Sequence, residues 1–365
     1  MQLPVEPGQT VRSEKMRDAW RLSNMLLGII AFALVLFLLV QARFVLISLA
    51  IAIILFSLTS EAIAAIGRVR IGPLRVPSWL ASIVALALIA AGLLTATAVL
   101  LAQANEVVTM AVAYAGPAQR ALASLFGWMG ADVEQAVLES IQKIEIAGYL
   151  STLAGQASNL LSAVVLVILF VGFLFAERIW FPAKLENLMG TPESARNVER
   201  TVARIMRRVN HYLLVKAAVS AVTGAAIWGV FTLGGYELAL PVAVLTFALN
   251  FIPSIGSIIA TVIAGLAAYI LSQDTAAALT VFAICSALQF VIGNIIDPML
   301  MGHALRLSSF GIIISLAFWG AVWGLPGMFL AVPIMVALMI VCAQSQTLRP
   351  LAVILSREGR PDGET

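Results

Sequence analysis

Asn250, Ser254 and Ser257 stand close together in the chain with Pro253 and Gly256 among them, and Gln289, Asn294 and Asp297 follow further on. Amide and hydroxyl groups donate and accept hydrogen bonds without carrying charge, and Asp297 is the one carboxylate of the set. Such a group suits a small neutral polyol or, together with backbone carbonyls, a weakly coordinated monovalent cation such as sodium. It is not a catalytic arrangement. The chain has no nucleophile elbow, no paired-histidine metal motif and no phosphate-binding glycine loop, and neither His211 nor His303 has a partner at ligand spacing. The expectation is a binding protein that is not an enzyme, with no cofactor and no metal centre.

The elements that must position these residues are apolar and too long. Leu238 to Leu271 carries no Asp, Glu, Lys or Arg, and as one helix it would reach ~51 Å against a hydrocarbon core of ~30 Å. Pro253 removes a backbone donor and Gly256 permits conformations other residues avoid, so the helix breaks here. Leu307 to Val341 is overlong in the same way, at ~52 Å, and Gly324-Leu325-Pro326-Gly327 interrupts it near the middle. Irregular backbone at membrane depth is tolerated only inside protein or along a cavity, so both breaks mark a substrate or ion site. Pro298, Gly324, Pro326, Gly327 and Pro333 are the expected hinges or breaks.

Composition fixes the class. Of 365 residues, 61% are hydrophobic and 11% charged, and the mean hydropathy is +1.00. A soluble domain is roughly half apolar and a quarter charged. The gaps between apolar runs lack the alternation of barrel strands, so the fold is all-α and polytopic, with about eight membrane segments including two broken or re-entrant helical hairpins. The net charge of +3 comes from basic residues clustered between spans, a pattern of membrane topology and not of nucleic-acid binding. Cys285 and Cys342 lie in apolar runs and read as small core residues.

Residues 1–101 comprise a basic leader and three spans, Asn24 to Val40, Phe44 to Thr59 and Trp79 to Leu101, with Arg68, Arg70 and Arg75 on the leader's side. Residues 102–158 turn acidic, and Val133, Val137, Ile141 and Ile144 recur at helical spacing; Asp132 with Gln135 reads as a capping box opening an extracytoplasmic amphipathic segment. Residues 159–216 hold a fourth span, Asn159 to Ala176, and a cytoplasmic helix whose basic residues run from Arg178 to Lys216 and face lipid phosphates. Thr191-Pro192 reads as its N-cap. Residues 217–348 are the transport core, starting with a fifth span at 217–233, and 349–365 form a tail. Both termini are expected in the cytoplasm of a multi-pass inner-membrane protein.

Each broken run either crosses fully, making eight spans, or dips in and returns, the first from outside and the second from inside. The hairpins are preferred because they keep His303 and Arg306 on the inner side.

Three motifs carry a resemblance. Leu249-Asn250-Phe251-Ile252-Pro253-Ser254-Ile255-Gly256, then Gly293-Asn294-Ile295-Ile296-Asp297-Pro298-Met299-Leu300-Met301-Gly302, then Gly324-Leu325-Pro326-Gly327-Met328-Phe329-Leu330-Ala331-Val332-Pro333 resemble, in that order, the autoinducer-2 exporter family, or PerM-like bacterial permeases. The resemblance is sharp from Val215 to Cys342. It implies an inner-membrane transporter that forms a homo-oligomer, a pentamer with one path per protomer. Members are associated with export of the quorum-sensing signal autoinducer-2, others with exchange of sodium or lithium for protons. Ser254 stands where some relatives carry an aromatic residue.

Plainer roles compete with these. Asn250 and Asn294 would equally bond backbone groups freed by the breaks, and Gln289 would make an interhelical hydrogen bond. Asn294 and Asp297, three apart, share a helical face, with Asp297 either a coupling carboxylate or a helix-end acceptor. Without a nucleotide-binding domain, transport would be secondary, the two interrupted runs moving as a unit against the first spans. Three functions are open: export of a small polar metabolite, sodium/proton antiport, and a membrane scaffold that transports nothing.

Overall fold

The computed structural model describes residues 7–68, 78–113, 127–142, 146–301 and 307–360, with isolated positions between 113 and 127. Its helices are α1 (Pro7–Gln41), α2 (Arg43–Arg68), α3 (Ser78–Ala113), α4 (Ala131–Gln142), α5 (Ile146–Glu177), α6 (Phe181–Met189), α7 (Pro192–Leu233), α8 (Ala239–Leu249), α9 (Ile255–Ser272), α10 (Thr275–Val291), a π turn (Ile292–Ile296), α11 (Asp297–Met301), α12 (Ser309–Trp323), α13 (Leu325–Gln344) and α14 (Arg349–Leu355). Eight of the described helices are long and apolar enough to cross a membrane. The fold is all-α and polytopic.

Helix α7 is the axis of the C-terminal half. The Thr191 hydroxyl accepts from Ser194 N at 3.3 Å, with Pro192 in the first turn, and the helix then runs unbroken for 42 residues, or ~63 Å. The boundary expected between residues 216 and 217 therefore falls inside one rigid element. Partners along α7 give the levels of everything else. Gln344 bonds to Thr201 at one end. Lys216 meets Asp297 and Ser220 meets Asn250 further along. Gly224 lies against Ala243 and Phe247, and Phe231 stacks on Tyr236 at the far end, with ring centroids 5.4 Å apart.

Both overlong runs fold back as hairpins. In the second, Ser315 Oγ donates to the Ala331 carbonyl at 2.8 Å, Gly320 faces Met328, and Gly327 sits on the Trp319 carbonyl, so contacts converge on Gly324 from both sides. In the first, α8 descends beside α7 from Tyr236 to Asn250, and α9 returns. Ala267 and Ala268 near the end of α9 share a core with Phe231, Tyr236 and Ala239, at the level where α8 began. The leading legs, 11 and 15 residues long, reach only ~16 and ~22 Å, short of a ~30 Å core. The bases lie at opposite ends of α7, since α13 packs its Met339 and Cys342 with Ile205 and Val209. The hairpins thus enter from opposite sides. His303 and Arg306 lie outside the described residues, as do Arg70, Arg75 and Gly302.

The N-terminal helices form a looser layer. Ala52, Ala85, Val167, Val171 and Phe175 make the core of α2, α3 and α5, and Phe56 meets Phe175 edge to face at 4.9 Å. Helices α3 and α5 run past the expected span ends at Leu101 and Asn159. The expected capping box is not formed: α4 starts at Ala131, which puts Asp132 inside the first turn, and the Gln135 amide bonds Glu139 instead. Gly130, at φ 114°, takes the position before the helix, and its carbonyl accepts from Val133 N at 3.1 Å.

Candidate functional site

The tip of the first hairpin turns on Ser254 and not, as expected, on conformational freedom at Gly256. Ser254 holds φ 61° and ψ −50°, and Ile255 N donates to the Pro253 carbonyl at 2.6 Å. That is the three-residue γ-turn of the strained kind, rare for a residue with a side chain. Gly256 is needed for space, because a Cβ there would overlap the Leu249 carbonyl oxygen. Asn250, 7% exposed, caps the end of α8, and its Nδ2 donates to Ser220 Oγ at 3.1 Å. It ties the tip to α7.

The tip of the second hairpin is Gly324, at φ 68° and ψ −144°, a region essentially closed to other residues. Pro326 sits in the first turn of α13, where its missing N–H costs nothing. Pro333 lies buried inside α13 and breaks nothing. The tips meet: Phe251 stacks on Phe329 with centroids 5.1 Å apart, and Ile252 joins the core of Leu316, Trp319, Trp323 and Leu330.

Beside the first tip lies an open groove of about 290 Å³ between α9 and α10. Ser257, Thr261, Ser286, Gln289 and Asn294 give it polar atoms, and Ile258, Val262, Phe282 and Phe290 its apolar walls. Ser257, Gln289 and Asn294 are each candidates by sequence, and the fold brings them together. The interhelical bond expected of Gln289 is absent at its nitrogen, since buried Nε2 has no hydrogen-bond partner. A buried donor left open in this way is rare and costs about 1–3 kcal/mol unless a ligand or water meets it. Asn294 Nδ2 donates to the Phe290 carbonyl at 3.0 Å, and the residue lines the groove.

Asn294 and Asp297 do not share a face. The π turn closes with an Asp297 N to Ile292 carbonyl bond, and its extra residue rotates the downstream helix by about 100°. Asn294 therefore stays exposed on the groove side, while Asp297 turns toward α7. The chain continues from the π turn through Pro298 into α11 without the break expected at this proline.

Asp297 Oδ2 accepts from Lys216 Nζ at 2.8 Å, with the two side chains 18% and 6% exposed. By sequence Lys216 belongs to the basic cytoplasmic cluster. Its setting was the available signal: Tyr212-Leu213-Leu214-Val215 before it and Ala217-Ala218-Val219 after it are not the neighbours of a surface lysine. Tyr212, Lys216 and Ser220, spaced by four, form a buried polar stripe on α7 that meets both the π turn and the first tip.

Opposed broken-helix hairpins whose tips meet are an architecture of helical membrane transporters. The chain belongs to the AI-2E transporter family, whose sequence model matches residues 27–346. It is 34% identical over 207 residues to the AI-2 transport protein TqsA of Escherichia coli (strain K12), covering 57% of this chain and 59% of that one. It is 30% identical over 227 residues to YhhT of the same organism, covering 62% of this chain and 64% of YhhT. The matched region thus spans about three fifths of the length of these relatives.

Proposed function

We propose that the protein is a secondary transporter of the bacterial inner membrane that exports a small polar metabolite such as autoinducer-2, with the α9–α10 groove as its contact surface. The observation that carries this is the groove lining itself, where two serine hydroxyls, a threonine hydroxyl and the Gln289 and Asn294 amides are brought together between α9 and α10. A hydroxyl-rich furanone satisfies such donors and acceptors while its ring meets Phe282 and Phe290. The similarity to TqsA, an AI-2 transport protein, supports the same substrate class.

Sodium/proton exchange is the weaker reading. It needs Asp297 as the ion's ligand, and that carboxylate already has Lys216 as its counter-charge. Sodium flux unaffected by Asp297→Asn would remove it. Basic residues between Arg178 and Arg208 favour a cytoplasmic location for that segment and for both termini. The almost wholly exposed apolar surface of Leu22–Gln41 on α1 suits lipid and subunit contacts in a homo-oligomer.

The test is efflux of labelled autoinducer-2 from proteoliposomes. Gln289→Leu and Asn294→Leu each delete about one hydrogen bond, worth ~1–1.5 kcal/mol, so the apparent affinity should fall about tenfold. Unchanged transport in both variants, with the protein folded, removes the groove from the path.

A further inference from the structure

We infer that Lys216 and Ser220 are positioning residues for the solute groove: one turn apart on α7, each fastens one of its two walls. This rests on the reading of the groove given above. The α10 wall ends in the π turn that carries Asn294, and Asp297, the residue after that turn, is held by Lys216 at 2.8 Å. The α9 wall begins at the first hairpin tip, where Asn250 Nδ2 donates to Ser220 Oγ at 3.1 Å. Ser220 and Asn250 are both buried, so this second anchor is shielded from water. Neither Lys216 nor Ser220 is among the residues that line the groove. Both belong to α7, a helix of 42 residues without a break, so helix geometry fixes the two anchors at about 6 Å apart along its axis.

The charged anchor also selects the local backbone. Continued as an ordinary α-helix through Ile292–Ile296, the chain would carry Asp297 about 100° around the axis and away from α7. Lys216, 6% exposed, would then be a buried ammonium without a counter-charge, a strongly destabilised state. Helices α8, α9, α10 and α13 carry no carboxylate to replace Asp297, and Glu61 of α2 accepts from Asn210. The ion pair therefore favours the π turn over the α-helix. It holds a thinly packed stretch: Asn294, Ile295, Pro298, Met299 and Leu300 are exposed, and Ile292 is the buried residue of the turn. With the turn in place, Asn294 reaches the groove, and its amide is steadied on the Phe290 carbonyl.

A single substitution at Lys216 or Asp297 strands a buried charge, so the test uses K216M/D297L, which removes both charges and keeps the volume filled. In efflux of labelled autoinducer-2 from proteoliposomes, this variant should raise the apparent KM about tenfold and leave Vmax within about twofold. Because the pair acts through Asn294, K216M/D297L/N294L should be no worse than N294L alone. Ser220→Ala acts on the other wall, so it should raise KM by about two- to tenfold and its penalty should add to that of N294L. A KM unchanged by K216M/D297L, or penalties of the pair and of Asn294 that add in full, overturns the inference. If K216M/D297L does not fold, Ser220→Ala decides, and an unchanged KM in that variant overturns it.

A readout without solute separates this inference from the assignment of the groove. Ile258→Cys and Phe290→Cys place thiols at exposed positions on the two walls, while native Cys285 and Cys342 are buried. In nanodiscs a short bismaleimide should join the two thiols within one chain, with a yield roughly threefold lower when K216M/D297L or Ser220→Ala is added. Equal yields with and without those substitutions overturn the inference. Absence of autoinducer-2 transport by the wild type counts against that solute alone, and the cross-link then decides the role of the anchors.

Discussion

Hairpin α8–α9 turns through Ser254, held at φ 61° and ψ −50°, with Asn250 beside it, whereas hairpin α12–α13 turns through Gly324 among Trp319, Trp323 and Phe329. The second tip is fastened to the N-terminal layer. Trp323 Nε1 donates to the Leu39 carbonyl at 3.0 Å, and Leu36, Leu46 and Ile51 pack on the same aromatic core. The first tip is fastened to α7 and to the second tip, and it borders the polar groove. One hairpin is an apolar abutment shared with the early spans; the other carries strain, polarity and the open donors.

The comparison breaks most severely where each tip is tightest. A Cβ at Gly256 would overlap the Leu249 carbonyl, and one at Gly327 the Trp319 carbonyl. Gly256→Val and Gly327→Val should each cost ~3 kcal/mol or more and remove the monodisperse peak in size-exclusion chromatography. A normal peak for either would mean that its tip yields. Gly324→Ala forces a side chain into the region glycine alone occupies and should cost ~1–3 kcal/mol, read as a lower unfolding temperature. Ser315→Ala removes one buried bond between the legs of the abutment and should cost ~1 kcal/mol, with transport little changed. Ser254→Gly sharpens the contrast, because relief of the γ-turn outweighs the added chain entropy. Stability should rise by ~0.5–1 kcal/mol while transport falls if the strain serves the cycle. A decrease in stability would show that Ser254 is unstrained.

Much of the fold was legible. Overlong apolar runs with Pro and Gly near their centres must break, so both breaks follow from length and composition, while the choice of return over full crossing leaned on the inner placement of His303 and Arg306. Thr191-Pro192 announced the start of α7 for the same local reason, a side-chain acceptor followed by a residue with no N–H to satisfy. Ser257, Gln289 and Asn294 were recognisable as polar groups in apolar surroundings, though not as neighbours. Glycine at 256 misled, since close approach and a positive φ are different reasons for the same residue, and the sequence does not distinguish them.

By itself, then, the chain determined what depends on residues within a turn or two of each other: the spans, the breaks, the caps and the list of uncharged polar groups. Only the tertiary structure decided which of them meet. Lys216 and Asp297 are 81 positions apart, and their contact requires α8, α9 and α10 to return the chain to one level of α7. It also requires a π turn to rotate Asp297 inward while leaving Asn294 outside. Helix phase accumulates at about 100° per residue, so a single inserted residue turns every following side chain by that angle, and no local pattern announces the insertion.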